Sequence, residues 1–356
     1  MNITVFGGGN IGTLMAAEMA YRGHNVTIYT SKPQRFEKKL DVYDREENFI
    51  LEGSIRKVTA DMEEAVKDAD IIWITMPAEV FGTLAEQLLP YAQAGQWIGL
   101  VPGSGGAEFA FRKLIDKGCI FFGLQRVHSI ARLKEYGKSV YMLGRKAQLQ
   151  MGAIQREKGE EIRKKVEAFF EIPCALLPNY LSVTLTPSNP IFHTSRLYSL
   201  FADYKEGMTY ERNILFHEEW DDKASEIMIN CDRELQTLCD AIPLDLSKVE
   251  SLCDYYESHT VQEMTAKIRS IPAFKGLTSP MKRVGDRWIP DFDSRYFKTD
   301  FPYGIKIICD MCELFEVEHT SAQMLWDWYR HIAAKDAEQA FVLRTDKKEF
   351  VELYHR

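Results

Sequence analysis

Along the first half of the chain, short unbroken apolar runs alternate with stretches in which apolar positions recur at helical spacing. Ile3, Val5 and Phe6 form the first run. After a glycine-rich turn, Leu14 to Tyr21 reads as a helix and Val26 to Tyr29 as the next strand. Ala69 to Thr75 (ADIIWIT) is apolar without interruption, as expected of a strand covered on both faces of a parallel sheet. A helical pattern over 79–91 and a strand from Trp97 to Val101 follow, and the loop Pro102-Gly103-Ser104-Gly105-Gly106 then leads into another helix. Shorter strands are predicted at 119–123 and 139–143, a helix at 155–171 and a last strand from Cys174 to Leu177. Strands alternating with helices predict a doubly wound parallel sheet.

The pattern changes near Asn179. Beyond it the chain is helical and rich in aromatic residues, with few credible strands. Residues 272–304 interrupt this with Pro, Gly and Asp and no period, which predicts a long ordered loop of the kind that is often functional. The expected architecture is an α/β domain over residues 1–180 followed by an all-α domain over 181–356.

Length supports the division, because 356 residues exceed one ordinary core. With 46% hydrophobic and 27% charged residues the chain can fill such cores. A net charge of -8 argues against a nucleic-acid partner, while leaving room for a locally positive pocket. No stretch approaches the ~20 apolar residues of a membrane span, and glycines break the N-terminal run, so neither a membrane association nor a signal peptide is expected. The expected location is cytoplasmic. The seven cysteines have no regular spacing; Cys309 and Cys312 make a lone CxxC that reads as buried thiols on a helix, with no second ligand pair for a metal.

Gly7-Gly8-Gly9-Asn10-Ile11-Gly12 follows the first strand directly and opens a helix. In that context the GxGxxG spacing is the mark of a Rossmann-like dinucleotide domain. Gly7 permits the tight turn, Gly9 the approach of backbone to pyrophosphate, and Gly12 the close packing of helix on strand. The N–H groups at the helix start, around Asn10 and Ile11, then face the phosphates. Pro77, just past the Ala69–Thr75 strand, is assigned to the same cofactor site. The end of the second strand usually carries an acid that binds the ribose of NAD. Here it reads Tyr29-Thr30-Ser31-Lys32-Pro33-Gln34-Arg35. Ser31, Lys32 and Arg35 suit a 2′-phosphate, which favours NADP(H), with NAD(H) as the alternative. The competing reading makes Lys32 and Arg35 ordinary charges on a solvated loop.

Chemistry should come from the second domain. Thr186-Pro187-Ser188-Asn189-Pro190-Ile191-Phe192-His193 delivers a histidine early on a helix, and Ser294-Arg295-Tyr296-Phe297-Lys298-Thr299-Asp300-Phe301-Pro302-Tyr303-Gly304 supplies a cation and a carboxylate. In these two segments the chain resembles the opine dehydrogenases (octopine and nopaline dehydrogenases and relatives), through Asn189, Pro190 and His193 and through Arg295, Asp300, Pro302 and Gly304. The glycine loop at 102–106 and Gln125 also fall where that family has counterparts. The resemblance implies reductive condensation of an amino acid with a 2-oxo acid. It gives His193 the general acid/base role, Asp300 the orientation of its ring, and Arg295 the 2-oxo acid carboxylate. Asn189 and Gln125 would join the substrate site. The chemistry of the residue types agrees, since histidine titrates near neutrality and arginine grips carboxylates through two parallel hydrogen bonds.

Other readings stay open. Asp300 can cap a helix and Arg295 can be a surface residue, while His128, His217 and His259 have no motif around them. Glu218 and Glu219, with Asp221 and Asp222, read as a solvated helix face rather than a metal site. A ketopantoate reductase-like 2-oxo acid reductase shares the domain plan, but that class relies on a junction lysine, and none stands between Lys165 and Lys205. A non-enzymatic NADP(H)-binding regulator would need the glycine loop alone. The amino acid, the 2-oxo acid and homodimer formation are left open.

Overall fold

A computed structural model describes residues 1–186 and 189–356. Pro187 and Ser188, part of the predicted junction segment, lie outside the described residues. The chain divides into two compact units, Met1–Thr184 with Phe350–Arg356, and Leu185–Glu349. The expected division at 180/181 therefore differs at the C-terminus, where the last residues return to the first unit. Phe350 stacks on Phe109 there, and the Tyr354 hydroxyl meets the Glu108 carboxylate at 2.8 Å.

The first unit contains β1 (Asn2–Phe6), β2 (Asn25–Tyr29), β3 (Lys39–Tyr43), β4 (Phe49–Ser54), β5 (Lys57–Thr59), β6 (Ile71–Ile74), β7 (Trp97–Leu100), β8 (Ile120–Leu124), β9 (Ser129–Glu135), β10 (Ser139–Arg145), β11 (Leu149–Ala153) and β12 (Cys174–Leu176). Its helices are α1 (Asn10–Tyr21), α2 (Met62–Val66), α3 (Phe81–Leu88), α4 (Ala107–Ala110), α5 (Arg112–Asp116), α6 (Gly159–Phe170) and α7 (Leu181–Thr184). Eight strands form one sheet in the order β12-β11-β8-β7-β6-β1-β2-β5. It is parallel from β8 to β5 and turns antiparallel where β11 meets β8. The four residues of β6 are fully buried, as their unbroken apolar run requires. Trp73 sits among Phe122, Phe169 and Phe170, all edge-on to its ring.

The segment predicted as a strand at 139–143 is a strand, but of a different sheet. β4-β3-β10-β9 form a separate four-stranded layer, parallel at β3/β10 and antiparallel elsewhere. This layer packs on α1, so that α1 lies between two sheets. That position explains why α1 has no polar face: Leu14 to Met19 are all buried. The approach is close enough that a Cβ on Gly53 of β4 would lie 2.5 Å from the Ala17 Cα. Glu18, the one acid in this buried run, pairs with His128 Nε2 at 2.8 Å and with Arg145. Burial alone would raise its pKa, but these two partners hold it below the usual carboxylate range.

The second unit contains α8 (Asn189–Phe201), α9 (Asp222–Ala241), α10 (Leu252–Tyr255), α11 (Val261–Ser270), β13 (Met281–Val284), β14 (Arg287–Pro290), α12 (Arg295–Lys298), α13 (Lys306–Phe315), α14 (Thr320–Ile332) and α15 (Ala334–Ala337), before α16 (Lys347–Leu353) leads back to the first unit. It is helical but not all-α. β13 and β14 pair as an antiparallel hairpin inside the stretch expected to be irregular. The turn is Gly285-Asp286, with Gly285 at φ 60, the positive φ that a two-residue hairpin loop needs at its first position. Cys309 and Cys312 are buried on α13, and burial pushes the Cys312 thiol up to about 12.

Candidate active site

In the first unit the glycine turn has the stereochemistry that its spacing implies. Gly7 stands at φ +114, and a Cβ on Gly12 would lie 1.9 Å from the Gly7 carbonyl oxygen. Only hydrogen fits at either position. A Cβ on Gly9 would meet no atom within 4 Å, so the protein itself does not require glycine there and the backbone is open on that side. No side chain caps α1, which leaves the N–H groups of its first turn and the positive end of its dipole available to an anion. These features fit a dinucleotide pyrophosphate. The Asn10 side chain is committed elsewhere, since its Oδ1 accepts the Leu133 N–H at 2.9 Å, so Asn10 offers its backbone N–H only. Ile11 is half-buried on the first turn of α1. Pro77 begins the short turn before α3, and Thr75 Oγ1 donates to the Phe6 carbonyl at 3.0 Å, tying the ends of β1 and β6 together.

At the end of β2, Ser31, Lys32 and Arg35 are exposed. The Lys32 N–H reaches Thr30 Oγ1 at 3.4 Å. Neither Lys32 nor Arg35 has an ion-pair partner among the described residues. Gln125 lies just past β8, beside the glycine loop at 102–106, where Gly103 N–H bonds the Leu124 carbonyl at 2.7 Å. It thus belongs to the first unit, whereas Asn189 and Arg295 belong to the second.

In the second unit two distant segments meet. His193, five residues into α8, and Asp300, just before the Phe301–Ile305 turn, bring Nδ1 and Oδ2 to 2.8 Å. Asp300 makes no capping hydrogen bond with that turn, so its carboxylate serves the imidazole. Both side chains are partly exposed, at 18% and 13%, which leaves the pair reachable while shielding it from bulk water. A carboxylate on Nδ1 fixes the tautomer that leaves Nε2 free to exchange a proton. Gly304 sustains the approach of the two segments, because a Cβ there would lie 2.6 Å from the Pro190 ring. Asn189 and Arg295 are exposed, each the first residue of its helix.

Aromatic rings wall the dyad. Tyr296 lies 4.5 Å from the His193 ring and Phe216 5.7 Å, with 5.3 Å between the two. Behind them His217 stacks on Phe274 at 4.1 Å. Burial, then the neighbouring His193 and Arg196, push the His217 pKa down to about 4, so at pH 7 it is a neutral member of the wall. Arg196, one turn beyond His193 on α8, is 1% exposed and holds this wall in place. Its Nε donates to the Phe216 carbonyl at 2.9 Å, Nη2 to the Glu219 carbonyl at 2.6 Å, and Nη1 to Asp221 at 2.7 Å. Glu218, Glu219 and Asp221 are therefore not a solvated helix face, whereas Asp222, the first residue of α9, is exposed. Asp221 caps α9 and pairs with Arg196, Glu219 pairs with Arg212, and Glu218 accepts the Gly276 N–H. Arg196, Phe216 and Tyr296 escaped the sequence reading. Their only local signal is the helical offset of three between His193 and Arg196.

A bound dinucleotide can deliver hydride but cannot manage the proton that accompanies it, whereas a histidine held by a carboxylate can. The chain is accordingly an NAD(P)-dependent dehydrogenase. Two family descriptions match it: "NAD-dependent glycerol-3-phosphate dehydrogenase N-terminus" over residues 2–105, and "NAD/NADP octopine/nopaline dehydrogenase, alpha-helical domain" over 176–333. Tauropine dehydrogenase of Arabella iricolor is 23% identical over 94% of this chain and 92% of its own length. Opine dehydrogenase of Haliotis discus hannai is 28% identical over 72% and 68%. The solved octopine dehydrogenase with NADH and L-arginine shares the fold at a TM-score of 0.81, with 22% identity over 94% of this chain and 90% of that one. The chain thus matches the helical domain of the octopine/nopaline dehydrogenases over residues 176–333, and over most of its length it is similar to opine dehydrogenases.

Proposed function

We propose that this protein condenses an amino acid with a 2-oxo acid and reduces the product, with NADPH as the preferred reductant. The observation that most supports this reading is the His193–Asp300 contact in a unit matched by the octopine/nopaline dehydrogenase helical-domain description. The amino nitrogen attacks the 2-oxo carbon, water leaves, and a carbon–nitrogen double bond remains. The dinucleotide supplies the hydride that reduces this bond when it is held by Gly7, Gly9, Gly12 and the N–H groups of Asn10 and Ile11.

His193 protonates the departing hydroxyl through Nε2 and recovers a proton from the incoming ammonium group, so protons balance over the cycle. Asp300 keeps Nδ1 protonated and stabilises the imidazolium. Arg295, exposed and without an ion pair among the described residues, binds the 2-oxo acid carboxylate, with Asn189 and Gln125 contributing further polar contacts. Ser31, Lys32 and Arg35 take the 2′-phosphate, for which their exposure and uncommitted charge are suited. Among the described residues no helix is long and apolar enough to cross a membrane. The substrates we propose are free metabolites, and the site of action is the cytoplasm.

The test is oxidation of NADPH by the purified protein in a screen that crosses amino acids with pyruvate, glyoxylate and 2-oxoglutarate. Turnover that requires both partners is expected. Consumption of a 2-oxo acid without any amine would replace this reading with a simple reductase, and tight cofactor binding without turnover on any pair would replace it with a regulator.

A further inference from the structure

The turn between β9 and β10 closes on the loop after β2, and the contact is specific. Gly137 stands at φ +77, and a Cβ there would lie 2.1 Å from the Arg35 carbonyl oxygen, so the turn reaches this backbone only as glycine. Glu37 N–H bonds the Gly137 carbonyl and Asp41 N–H the Lys138 carbonyl, both at 2.9 Å. Next to Gly137, the Tyr136 ring receives the Arg35 guanidinium at 4.6 Å and meets Phe36 edge-on at 5.2 Å. Its hydroxyl lies 3.3 Å from Thr30 Oγ1. Phe36 in turn fills the space beside Gly8, where a Cβ would come within 2.5 Å of its ring. One aromatic ring from the four-stranded layer thereby joins the glycine turn, the end of β2 and a loop cation.

In a dinucleotide domain the end of the second strand faces the 2′ position of the adenosine ribose. Thr30 and the loop to Arg35 hold that place here. We propose that Tyr136 is a cofactor-selectivity residue, which holds the Arg35 guanidinium in one orientation for the 2′-phosphate of NADP(H). A free arginine loses much rotamer freedom when it binds a phosphate, and a ring that orders it beforehand reduces that cost. Stacking engages the face of the guanidinium and leaves its N–H edge for two parallel bonds to phosphate oxygens. The neighbouring turn cations are already committed: Lys134 to Glu47, and Lys138 to Glu135 at 2.7 Å and Glu37 at 3.4 Å. The inference rests on the NADP(H) preference proposed above.

The test titrates the full-length protein with 2′,5′-ADP and with 5′-AMP, which differ only by the 2′-phosphate, in wild type, Y136A, Y136F and R35A. Wild type should prefer 2′,5′-ADP. Y136A should weaken 2′,5′-ADP roughly five- to tenfold and leave 5′-AMP within about twofold, while Y136F, which retains the ring, stays near wild type. Should Y136A not fold, Y136L has similar bulk without a π face and is expected to behave the same way. If R35A loses the preference and Y136A keeps it, the role of Tyr136 is wrong while the NADP(H) reading stands. Equal weakening of both probes in Y136A also overturns the proposal. If wild type binds both probes alike, the NADP(H) reading falls and the inference with it.

Discussion

Replacing Glu108 with Gln should stabilise the protein, and increasingly so as pH rises. The Glu108 side chain is fully buried in the first unit. It accepts from Thr184 Oγ1 at 2.6 Å and from the Tyr354 hydroxyl at 2.8 Å, so it binds the last residue of the unit before Leu185 and the returning C-terminus at once. Burial raises its pKa from 4.5 to about 7, and bonds from Thr184, its own backbone and Tyr354 oppose this only in part. The folded state therefore holds the Glu108 proton more tightly than the unfolded chain. The contribution of this group is fully present below about pH 4.5 and is lost as pH rises through 7. The gap between those values corresponds to about 3 kcal/mol, reached above pH 7. Glutamine is neutral throughout and can accept the same two hydroxyl bonds through its amide oxygen. Urea denaturation of wild type and E108Q, followed by circular dichroism at several pH values, measures the difference. It should be under about 1 kcal/mol at pH 5 and approach about 3 kcal/mol by pH 8. A difference that does not change with pH, or that is largest in acid, would refute the reasoning.

Arg196→Met should cost roughly 3–5 kcal/mol in the same assay, because it strands the Phe216 and Glu219 carbonyls and the Asp221 carboxylate that the buried guanidinium serves. Turnover of that variant should fall as well, since Phe216 is part of the wall beside His193; full activity at unchanged stability would be incompatible with that role. The two glycines of the turn should separate cleanly. Gly12→Ala forces a contact of 1.9 Å with the Gly7 carbonyl oxygen and should yield little folded protein. Gly9→Ala meets no protein atom and should melt near wild type, while its NADPH affinity falls about tenfold or more, as titration would reveal.

The α/β alternation and the glycine turn were legible in the sequence because each depends on local spacing, while the joining of His193 with Asp300 was implied only by the resemblance to the opine dehydrogenases. The four-stranded layer was not legible. Its strands are half-exposed and interrupted by polar residues, as in Lys39–Tyr43 and Ser129–Glu135, and gain their stability from packing on α1 rather than from their own pattern. The lack of a polar face on α1 was the clue, since a helix apolar on all sides must be covered on all sides. The β13–β14 hairpin was also signalled, by Gly285-Asp286 between Val284 and Arg287, but neighbouring Pro and Asp residues masked it as loop. Arg196 could not have been told from a surface arginine, because its partners lie 20 to 25 residues further on. Gln125 lies in the first unit, as its place within residues 1–180 implied, and its substrate role rests on the resemblance alone.

The most direct test of the account compares turnover with cofactor affinity in His193→Ala and Asp300→Asn. His193→Ala should lose about 10²–10⁴-fold in kcat, the usual contribution of a positioned acid/base. Asp300→Asn keeps the shape of the 2.8 Å contact without its charge, and should lose about ten- to a hundredfold. NADPH affinity should stay within about twofold in both variants, because the glycine turn belongs to the other unit. Undiminished kcat in either variant would contradict the account.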